Sequence, residues 1–292
     1  MNISQVYAVY FSATGNTRKV TTTLANALAV SFDVPLEVRD FTLPAAREEA
    51  YEFAAGDLVV FGMPTYAGKL PNKLLEFVKS GFHGNGALAV PVVTFGNRSF
   101  DNSLAELCAC LEGDGFHTIG AGAFACRHAF TDALANGRPD SDDMAELAKL
   151  GSAVVGRIVR MTEYPAPVTV DGDADAPYYR PLGLDGEPKV FLKAKPKTDL
   201  DKCIHCGVCA SLCPMGSINP DDVTEVVGVC IKCHSCVRNC PMGAKYFDDP
   251  AFFARCERNA TTRAERRTRS SRRKKVHKKA LFGNPKRSFF HS

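Results

Sequence analysis

The sequence predicts a doubly wound α/β domain with a five-stranded parallel sheet, followed by a second and smaller domain. Three observations support this prediction. Apolar runs of strand length alternate with helical patterns in the N-terminal half, a proline-rich segment interrupts that pattern, and eight cysteines follow in two runs of identical spacing. A chain of 292 residues also has about the length of two domains.

Five apolar runs mark the expected strands, at residues 5–11, 36–38, 57–62, 87–95 and 116–126. Nearly continuous apolar runs are typical of strands that are buried on both faces of a parallel sheet. Helical patterns follow the first run and the third, the latter around residues 71–78. A long amphipathic pattern begins at Ser141, which we expect to cap that helix. Alternating strands and helices indicate a doubly wound sheet.

The loop after the first strand is rich in small and hydroxyl-bearing residues, with the sequence SATGNT at residues 12–17. A helical pattern begins directly after it. Free backbone N–H groups and the positive end of the helix dipole suit such a loop to a phosphate group. Ser12, Thr14, Asn16 and Thr17 would add side-chain donors.

Eight cysteines near the C-terminus form two C-x2-C-x2-C-x3-C-P runs. This spacing is that of two [4Fe–4S] clusters, and in two-cluster ferredoxins the fourth cysteine of each run ligates the other cluster. We therefore expect one cluster to be held by Cys203, Cys206, Cys209 and Cys240. The second cluster would be held by Cys230, Cys233, Cys236 and Cys213.

Zinc and disulfide bonds are the alternatives for these cysteines. Paired C-x2-C sequences also mark zinc sites, but four soft thiolate ligands in each run, followed by proline, suit iron–sulfur clusters better. A disulfide scaffold requires export, and the first residues, MNISQVYAVYFS, contain neither a basic segment nor a cleavage site. No apolar run approaches the roughly 20 residues that span a membrane. We therefore expect a cytoplasmic protein.

Three loops resemble, in order, the flavin-binding loops of flavodoxins. They are residues 12–17, residues 62–68 with the sequence GMPTYAG, and residues 94–102 with the sequence TFGNRSFDN. Together with the cysteine runs, residues 1–254 resemble the flavodoxin–ferredoxin fusions of anaerobic bacteria and archaea, the EFR-type ferredoxin family. The resemblance implies a flavodoxin-like domain that binds FMN, followed by a small α+β domain like that of bacterial two-cluster ferredoxins.

The resemblance also implies which residues contact FMN. They are Ser12, Thr14, Gly15, Asn16, Thr17, Pro64, Thr65, Tyr66, Ala67, Gly68, Phe95, Gly96, Asn97 and Phe100. Many flavodoxins stack a Trp on the flavin, and this chain has none, so Tyr66, Phe95 and Phe100 are the aromatic candidates. A domain that keeps the fold without binding FMN is the alternative.

The composition suggests four parts. We expect a flavodoxin-like domain in residues 1–164, a semi-rigid proline-rich linker in 165–198, a ferredoxin domain in 199–254 and a largely disordered tail in 255–292. The tail holds 14 Lys and Arg residues against 2 Asp and Glu residues, and like charges at this density repel. Nucleic acid could bind such a tail through its phosphates, but docking on an acidic partner, or on the acidic remainder of the chain itself, is at least as well supported.

Several residues outside these motifs are open to more than one interpretation. Cys108, Cys110, Cys126 and Cys256 lie outside the runs and are expected to be small buried side chains. His128 could approach the flavin, but we expect it to pack at a loop. Lys69 lies beside the second flavin loop, and a solvated lysine is the simpler expectation.

The expected function is low-potential electron transfer between redox partners, through FMN and two [4Fe–4S] clusters. The cofactors would supply the chemistry, and the protein would supply their positions and electrostatic surroundings. An acidic ferredoxin or a reductase would be a suitable partner. The alternative is an FMN-dependent oxidoreductase that acts on a small substrate and uses the clusters as an internal relay.

Overall fold

The computed structural model describes residues 2–180, 187, 194–249 and 280–281. The strands in these residues are β1 Gln5–Tyr10, β2 Leu36–Asp40, β3 Tyr51–Glu52, β4 Asp57–Pro64, β5 Phe82–His83, β6 Leu88–Phe95, β7 His117–Thr118, β8 Ala121–Ala125, β9 Lys197–Thr198, β10 Lys245–Tyr246 and β11 Ala280–Leu281. The helices are α1 Asn16–Phe32, α2 Leu75–Ser80, α3 Ser103–Gly113, α4 Ser141–Arg160, α5 Val208–Ser211 and α6 Ser235–Arg238, with a 3-10 helix at Pro44–Arg47. None of the helices in these ranges combines the length and apolar character that crossing a membrane requires.

The main sheet confirms the predicted fold class. Its strands follow the order β11-β8-β6-β4-β1-β2, with β7 paired to β6, and β2, β1, β4, β6 and β8 are parallel. This order is that of doubly wound folds that bind ligands beside the first strand. Two details differ from a plain five-stranded sheet. The predicted fifth strand is divided into β7 and β8 around Gly120, and β11 adds a short antiparallel edge.

Two helices differ from the sequence prediction. Asp140 rather than Ser141 caps α4, because its carboxylate accepts from the Asp143 N–H at 3.0 Å and Asp143 accepts in return from the Asp140 N–H at 3.0 Å. This reciprocal pair satisfies two free N–H groups of the first turn, so the predicted Ser141 cap is wrong. Helix α3 had no counterpart among the predicted elements.

Apolar side chains on both faces of the sheet form two cores. On one face, Leu24 of α1 and Leu147 of α4 pack over the central strands. On the other face, Val78 of α2 and Leu107 of α3 pack with Phe61 of β4. Full burial of such a side chain contributes about 1.5–3 kcal/mol, so these two cores fix the helices to the sheet and thereby position the loops between them.

The second domain contains little regular structure. An antiparallel pair, β9 with β10, and the short helices α5 and α6 surround a small core of Cys209, Ile218, Val223 and Cys236. Strand β9 lies inside the range predicted as linker, because Lys197 and Thr198 pair with β10. The predicted domain boundaries stay a prediction. Within the predicted tail, β11 is the described element.

Residues 168–179 of the predicted linker lie along the first domain, and we call this segment the strap. Val168 is buried in the core on the α2–α3 face. The Tyr178 hydroxyl donates to the Leu70 carbonyl at 2.8 Å, and the Tyr179 N–H donates to the Ala67 carbonyl at 2.8 Å. These contacts fix the strap to the second predicted flavin loop.

Lys69 holds the strap through a buried charge. Its Nζ lies 3.0 Å from Oε1 of Glu106 and donates to the carbonyls of Ala174 and Ala176 at 2.7 and 2.8 Å. Lys69 is 7% exposed and Glu106 is 4% exposed. The expectation of a solvated lysine is therefore wrong, because a carboxylate and two strap carbonyls replace water around the ammonium group.

We expect Glu106→Gln to lower the free energy of unfolding by about 3–5 kcal/mol, because it leaves the Lys69 charge buried without its carboxylate. Denaturant unfolding followed by circular dichroism measures the loss. Glu146→Gln is the matched control, because Glu146 pairs with Lys149 on the outer side of α4 and such pairs contribute about 0.3–0.5 kcal/mol. Equal losses in both variants would show that the buried pair does not stabilise the strap.

Candidate cofactor sites

The loop between β1 and α1 offers free backbone donors at the end of the sheet. Within the described ranges, the N–H groups of residues 13–17 donate no hydrogen bond to the protein. Gly15 has a φ of 85°, a conformation that favours glycine. Ser12 Oγ accepts from the Arg18 N–H at 2.9 Å and closes the loop. Free donors at the N-terminus of a long helix are the usual setting for a bound phosphate.

The predicted side-chain donors of this loop differ in their surroundings. The Asn16 amide donates to the Arg127 carbonyl at 3.0 Å, and Thr17 Oγ1 lies 2.8 Å from Thr94 Oγ1 in the core. In the part of the chain that the structure describes, the Thr14 hydroxyl has no hydrogen-bond partner. Thr14 is therefore available to a phosphate, while Asn16 and Thr17 fix the loop to neighbouring segments.

The second predicted loop follows Pro64, where β4 ends, and makes a tight turn. The Tyr66 N–H donates to the Lys69 carbonyl at 2.8 Å, and the Lys69 N–H donates to the Tyr66 carbonyl at 3.2 Å. Ala67 and Gly68 at the tip have φ values of 49° and 82°. A turn with positive φ at both central residues is of type I′, and it gives the loop a defined shape.

Hydrogen bonds join the second loop to the third. The Thr65 N–H donates to the Thr94 carbonyl at 2.8 Å, and the Asn102 N–H donates to the Gly68 carbonyl at 2.8 Å. A Cβ atom at position 68 would lie 2.6 Å from Oδ2 of Asp101. Glycine therefore permits the close approach of the two loops.

The third predicted loop carries two of the aromatic candidates. The rings of Phe95 and Phe100 lie 5.6 Å apart at an angle of 59°. Asn97 has a φ of 65°, and a Cβ atom at Gly96 would lie 2.2 Å from the ring of His128. The three loops follow the carboxyl ends of β1, β4 and β6, which is the side on which open α/β sheets bind ligands. Their donors and aromatic side chains fit a phosphate-bearing flavin.

His128 packs at the loop as expected. Its Nδ1 accepts from the Phe130 N–H at 3.2 Å. Burial, followed by the positive charge of Arg238, lowers the pKa of His128 to about 4. The imidazole is therefore neutral near pH 7, with its ring against Gly96 of the third loop.

Two cavities in the described part of the second domain divide the eight cysteines into two groups. The Cys213 cavity is lined by Cys213, Cys230, Cys233 and Cys236. The Cys203 cavity is lined by Cys203, Cys206, Cys209 and Cys240. Each group takes its fourth cysteine from the other run, which is the grouping that crossed ligation requires. Four thiols around one cavity fit the ligand set of a [4Fe–4S] cluster.

The two cavities differ in the environment of their sulfurs. In the described ranges, no three or more His, Cys, Asp or Glu side chains are placed so that they could hold a single metal ion. The cysteines line cavities instead. Cys233 and Cys236 are buried, whereas Cys206 is exposed. Backbone N–H groups donate to sulfurs at Cys213, Cys230 and Cys240, at 3.3, 3.4 and 3.2 Å. Such hydrogen bonds and such differences in exposure tune cluster potentials.

Arg238 joins the second domain to the first. Its Nε donates to the Ala129 carbonyl at 2.8 Å, Nη2 donates to the His128 carbonyl at 3.1 Å, and Nη1 donates to Asp132 Oδ1 at 2.9 Å. The guanidinium group offers several donors in a fixed planar arrangement. Since Arg238 ends α6, these bonds fix that helix, and Cys236 within it, beside the third loop.

Arg47, which lies in the first domain, makes a second link between the two domains. Its Nη2 donates to the Pro214 carbonyl at 2.5 Å, and its Nη1 donates to the Phe41 carbonyl at 2.7 Å. Met215 and Ile231 of the second domain pack against the core of the first. The segment that follows Cys213 is therefore held by both hydrogen bonds and apolar contacts.

Tyr66 lies close to the Cys213 cavity. Burial raises the pKa of Tyr66 well above its usual value, and the nearby thiols of Cys233 and Cys230 are the next causes. The rings of Phe130 and His234 also meet at the domain interface, with centroids 4.3 Å apart and an interplanar angle of 31°. The second flavin loop and the Cys213 cavity are thus neighbours in the structure.

The cysteines outside the runs are structural. Cys108, Cys110 and Cys126 are buried, and burial raises the pKa of each thiol to about 12. These thiols stay protonated near pH 7 and pack as small apolar groups, as expected. Cys256 lies outside the described residues.

Arg47 and Arg238 are the residues of this region that sequence reasoning missed. Neither belongs to a motif, and each acts on carbonyl groups that lie more than 100 positions away in the sequence. The one available indication is the place of Arg238 between Cys236 and Cys240, where a charged side chain must face either solvent or a partner surface.

Solved structures with a similar shape cover about half of the chain. A flavodoxin from the domain Archaea is 16% identical, with 53% of this chain and 99% of that chain covered and a TM-score of 0.37. A flavodoxin from Streptococcus pneumonia TIGR4 is 15% identical, with 53% and 99% covered and a TM-score of 0.38. Rubredoxin oxygen:oxidoreductase from the anaerobe Desulfovibrio gigas is 17% identical, with 54% and 37% covered and a TM-score of 0.37.

Family models match one segment in each half of the chain. The model of the flavodoxin domain matches residues 7–94, and the model of the 4Fe-4S dicluster domain matches residues 195–241. Among curated proteins, none matches the chain. The two domain types imply a flavin and iron–sulfur clusters and support a role in electron transfer. The chain therefore joins an N-terminal flavodoxin domain to a C-terminal 4Fe-4S dicluster domain, the organisation of a flavodoxin–ferredoxin fusion.

Proposed function

We propose that the chain binds one FMN and two [4Fe–4S] clusters and transfers electrons between redox partner proteins. The observation that carries this proposal is the packing of the Cys213 cavity against the side of the first domain where the three loops lie. Arg238 and Arg47 hold that packing from opposite domains. Cofactors bound at these sites would keep a fixed distance, and the protein's contribution to redox chemistry is chiefly such positioning.

Flavin supplies the exchange of two electrons with protons, and each cluster supplies the exchange of one electron. Residues 12–17 would hold the FMN phosphate through their free N–H groups and the Thr14 hydroxyl. The loops at residues 64–68 and 95–100 would enclose the ring, with Tyr66, Phe95 and Phe100 as the aromatic contacts. The cysteine thiolates would hold the clusters, and the backbone N–H groups beside them would stabilise the sulfur charge.

The partner that we propose is an acidic redox protein, either an acidic ferredoxin or a reductase. The 14 Lys and Arg residues among positions 255–292 support this proposal, because opposite charges steer association and raise its rate. A cytoplasmic location suits a chain with 12 cysteines, since free thiols persist in reducing compartments.

The alternative function, reduction of a small substrate by FMN, needs an acid or base beside the flavin ring. His128 is the candidate for that role. Its buried ring packs against Gly96, its Nδ1 accepts a hydrogen bond from the Phe130 N–H, and its pKa is lowered to about 4 by burial and by Arg238. A histidine that stays neutral in this way is a poor proton donor near pH 7, so electron transfer is the better-supported function.

Anaerobically purified protein is expected to contain about eight iron atoms and a matching amount of acid-labile sulfide, because each four-cysteine cavity would hold four of each. It is also expected to contain about one FMN per chain. Iron, sulfide, zinc and flavin analysis measures these contents. Stoichiometric zinc without sulfide would contradict the cluster assignment, and failure to bind added FMN would contradict the flavin assignment.

Thr14→Val is expected to weaken FMN binding by roughly 10- to 150-fold, because a hydrogen bond to a charged group contributes about 1.5–3 kcal/mol. Quenching of FMN fluorescence during titration measures the affinity. Thr23→Val is the matched control, since Thr23 is an exposed residue of α1 beyond the loop, and it should bind FMN as the unmodified protein does. Equal affinities in both variants would place the phosphate elsewhere.

A further inference from the structure

The contacts between the domains are concentrated at one of the two cysteine cavities. Pro214 and Met215 directly follow Cys213, and Ile231 directly follows Cys230. The Pro214 carbonyl accepts from Arg47, while Met215 and Ile231 pack against the core of the first domain. Pro214, Met215 and Ile231 also line the Cys213 cavity. The walls of this cavity are therefore part of the domain interface.

The Cys203 cavity has the opposite surroundings. In the part of the chain that the structure describes, no residue that lines it forms a hydrogen bond or ion pair with the first domain. Cys206 is exposed. The side chains beside it are also open to solvent, because Ile204 is 61% exposed and Met242 is 47% exposed. Both residues line the cavity, so only their side chains separate it from the surface.

Among the described residues, two sets of contacts, which the Cys203 cavity lacks, place the Cys213 cavity beside the predicted flavin loops. The ring of Phe130 lies 5.0 Å from that of His128 at the third loop and 4.3 Å from that of His234, which lines the cavity. On the same side, Arg238 donates to the carbonyls of His128 and Ala129.

We propose that the two cluster sites work in a fixed spatial order: the Cys213 cavity exchanges electrons with the flavin, and the Cys203 cavity exchanges them with a redox partner that docks over Ile204 and Met242. This order rests on the proposed function. The docked partner is a one-electron redox protein, because each cluster passes one electron at a time. Bound at these sites, the clusters would pass the two electrons of a reduced flavin one at a time to that protein, and the protons released by the flavin would pass to water.

Flash photoreduction of the flavin in fully loaded protein tests the first half of this order. We expect a rapid decay of reduced-flavin absorbance that is matched by bleaching of cluster absorbance. Cys213→Ser should lose this rapid phase, and Cys206→Ser should retain it. Retention in Cys213→Ser together with loss in Cys206→Ser would overturn the order. Absence of the rapid phase in wild-type protein with full iron and FMN content would instead reject the proposed function itself.

A pair of variants that changes no ligand tests the second half. Ile204→Lys introduces a positive charge beside the Cys203 cavity, and Val229→Lys introduces the same charge beside the Cys213 cavity, where Val229 is 52% exposed. Electron transfer from the reduced protein to an acidic ferredoxin should quicken by about tenfold at low salt in Ile204→Lys, because the added positive charge attracts the acidic acceptor. It should be unchanged in Val229→Lys, with iron and FMN content unaltered in both. An acceleration that is equal or larger in Val229→Lys would overturn the proposal.

Discussion

The hydrogen bonds of Arg238 fix the orientation on which the arrangement of the candidate sites depends. One guanidinium group binds two backbone carbonyls and the Asp132 carboxylate on the far side of the domain interface. Carbonyl groups are held by the backbone, so this recognition is more rigid than a pair of flexible charged side chains would be. Arginine suits the role because its planar group offers several donors at once. Lysine at this position would offer three rotatable donors on a compact group, without the fixed planar arrangement that matches these acceptors.

The strap adds a second constraint, and it depends on a charge that is buried. Removing Lys69 and Glu106 from water is costly, and their mutual attraction repays that cost only when the geometry is good. Here the ammonium group also meets two strap carbonyls, at 2.7 and 2.8 Å. An apolar pair of similar volume would satisfy the core equally well but would not bind those carbonyls. The charged pair therefore specifies the path of the strap over the second loop.

Local sequence patterns predicted much of the fold and the cysteine groups. Runs of apolar residues located the parallel strands, because burial on both faces leaves little choice of side chain. Helix α3 was not predicted, although its buried residues Leu104, Leu107 and Leu111 repeat at helical spacing. Its first residues directly follow residues 94–102, which were assigned to the third flavin loop. The Ser141 cap was wrong because Asp140 and Asp143 together satisfy more N–H groups than one hydroxyl can.

Features that depend on distant contacts could not be predicted in this way. Lys69 was expected in solvent because its neighbours in sequence are loop residues, and its carboxylate partner lies on α3, which was itself unassigned. Arg47 and Arg238 bind carbonyl groups, which every residue possesses, so no side-chain pattern marks their partners. The crossed grouping of cysteines differs from these cases, because the spacing within each run already restricts how the chain can wrap a cavity.

Helix α6 shows how docking and both cysteine cavities are linked. Within five residues the chain passes from Cys236, which lines the Cys213 cavity, through Arg238 at the interface, to Cys240, which lines the Cys203 cavity. A shift of Arg238 would therefore move a ligand of each cavity together with the interface. The crossed grouping of the cysteines produces this coupling, because each cavity takes one cysteine from the other run. Firm docking at Arg238 thus restrains the positions of both candidate clusters, including the one that has no described hydrogen bond to the first domain.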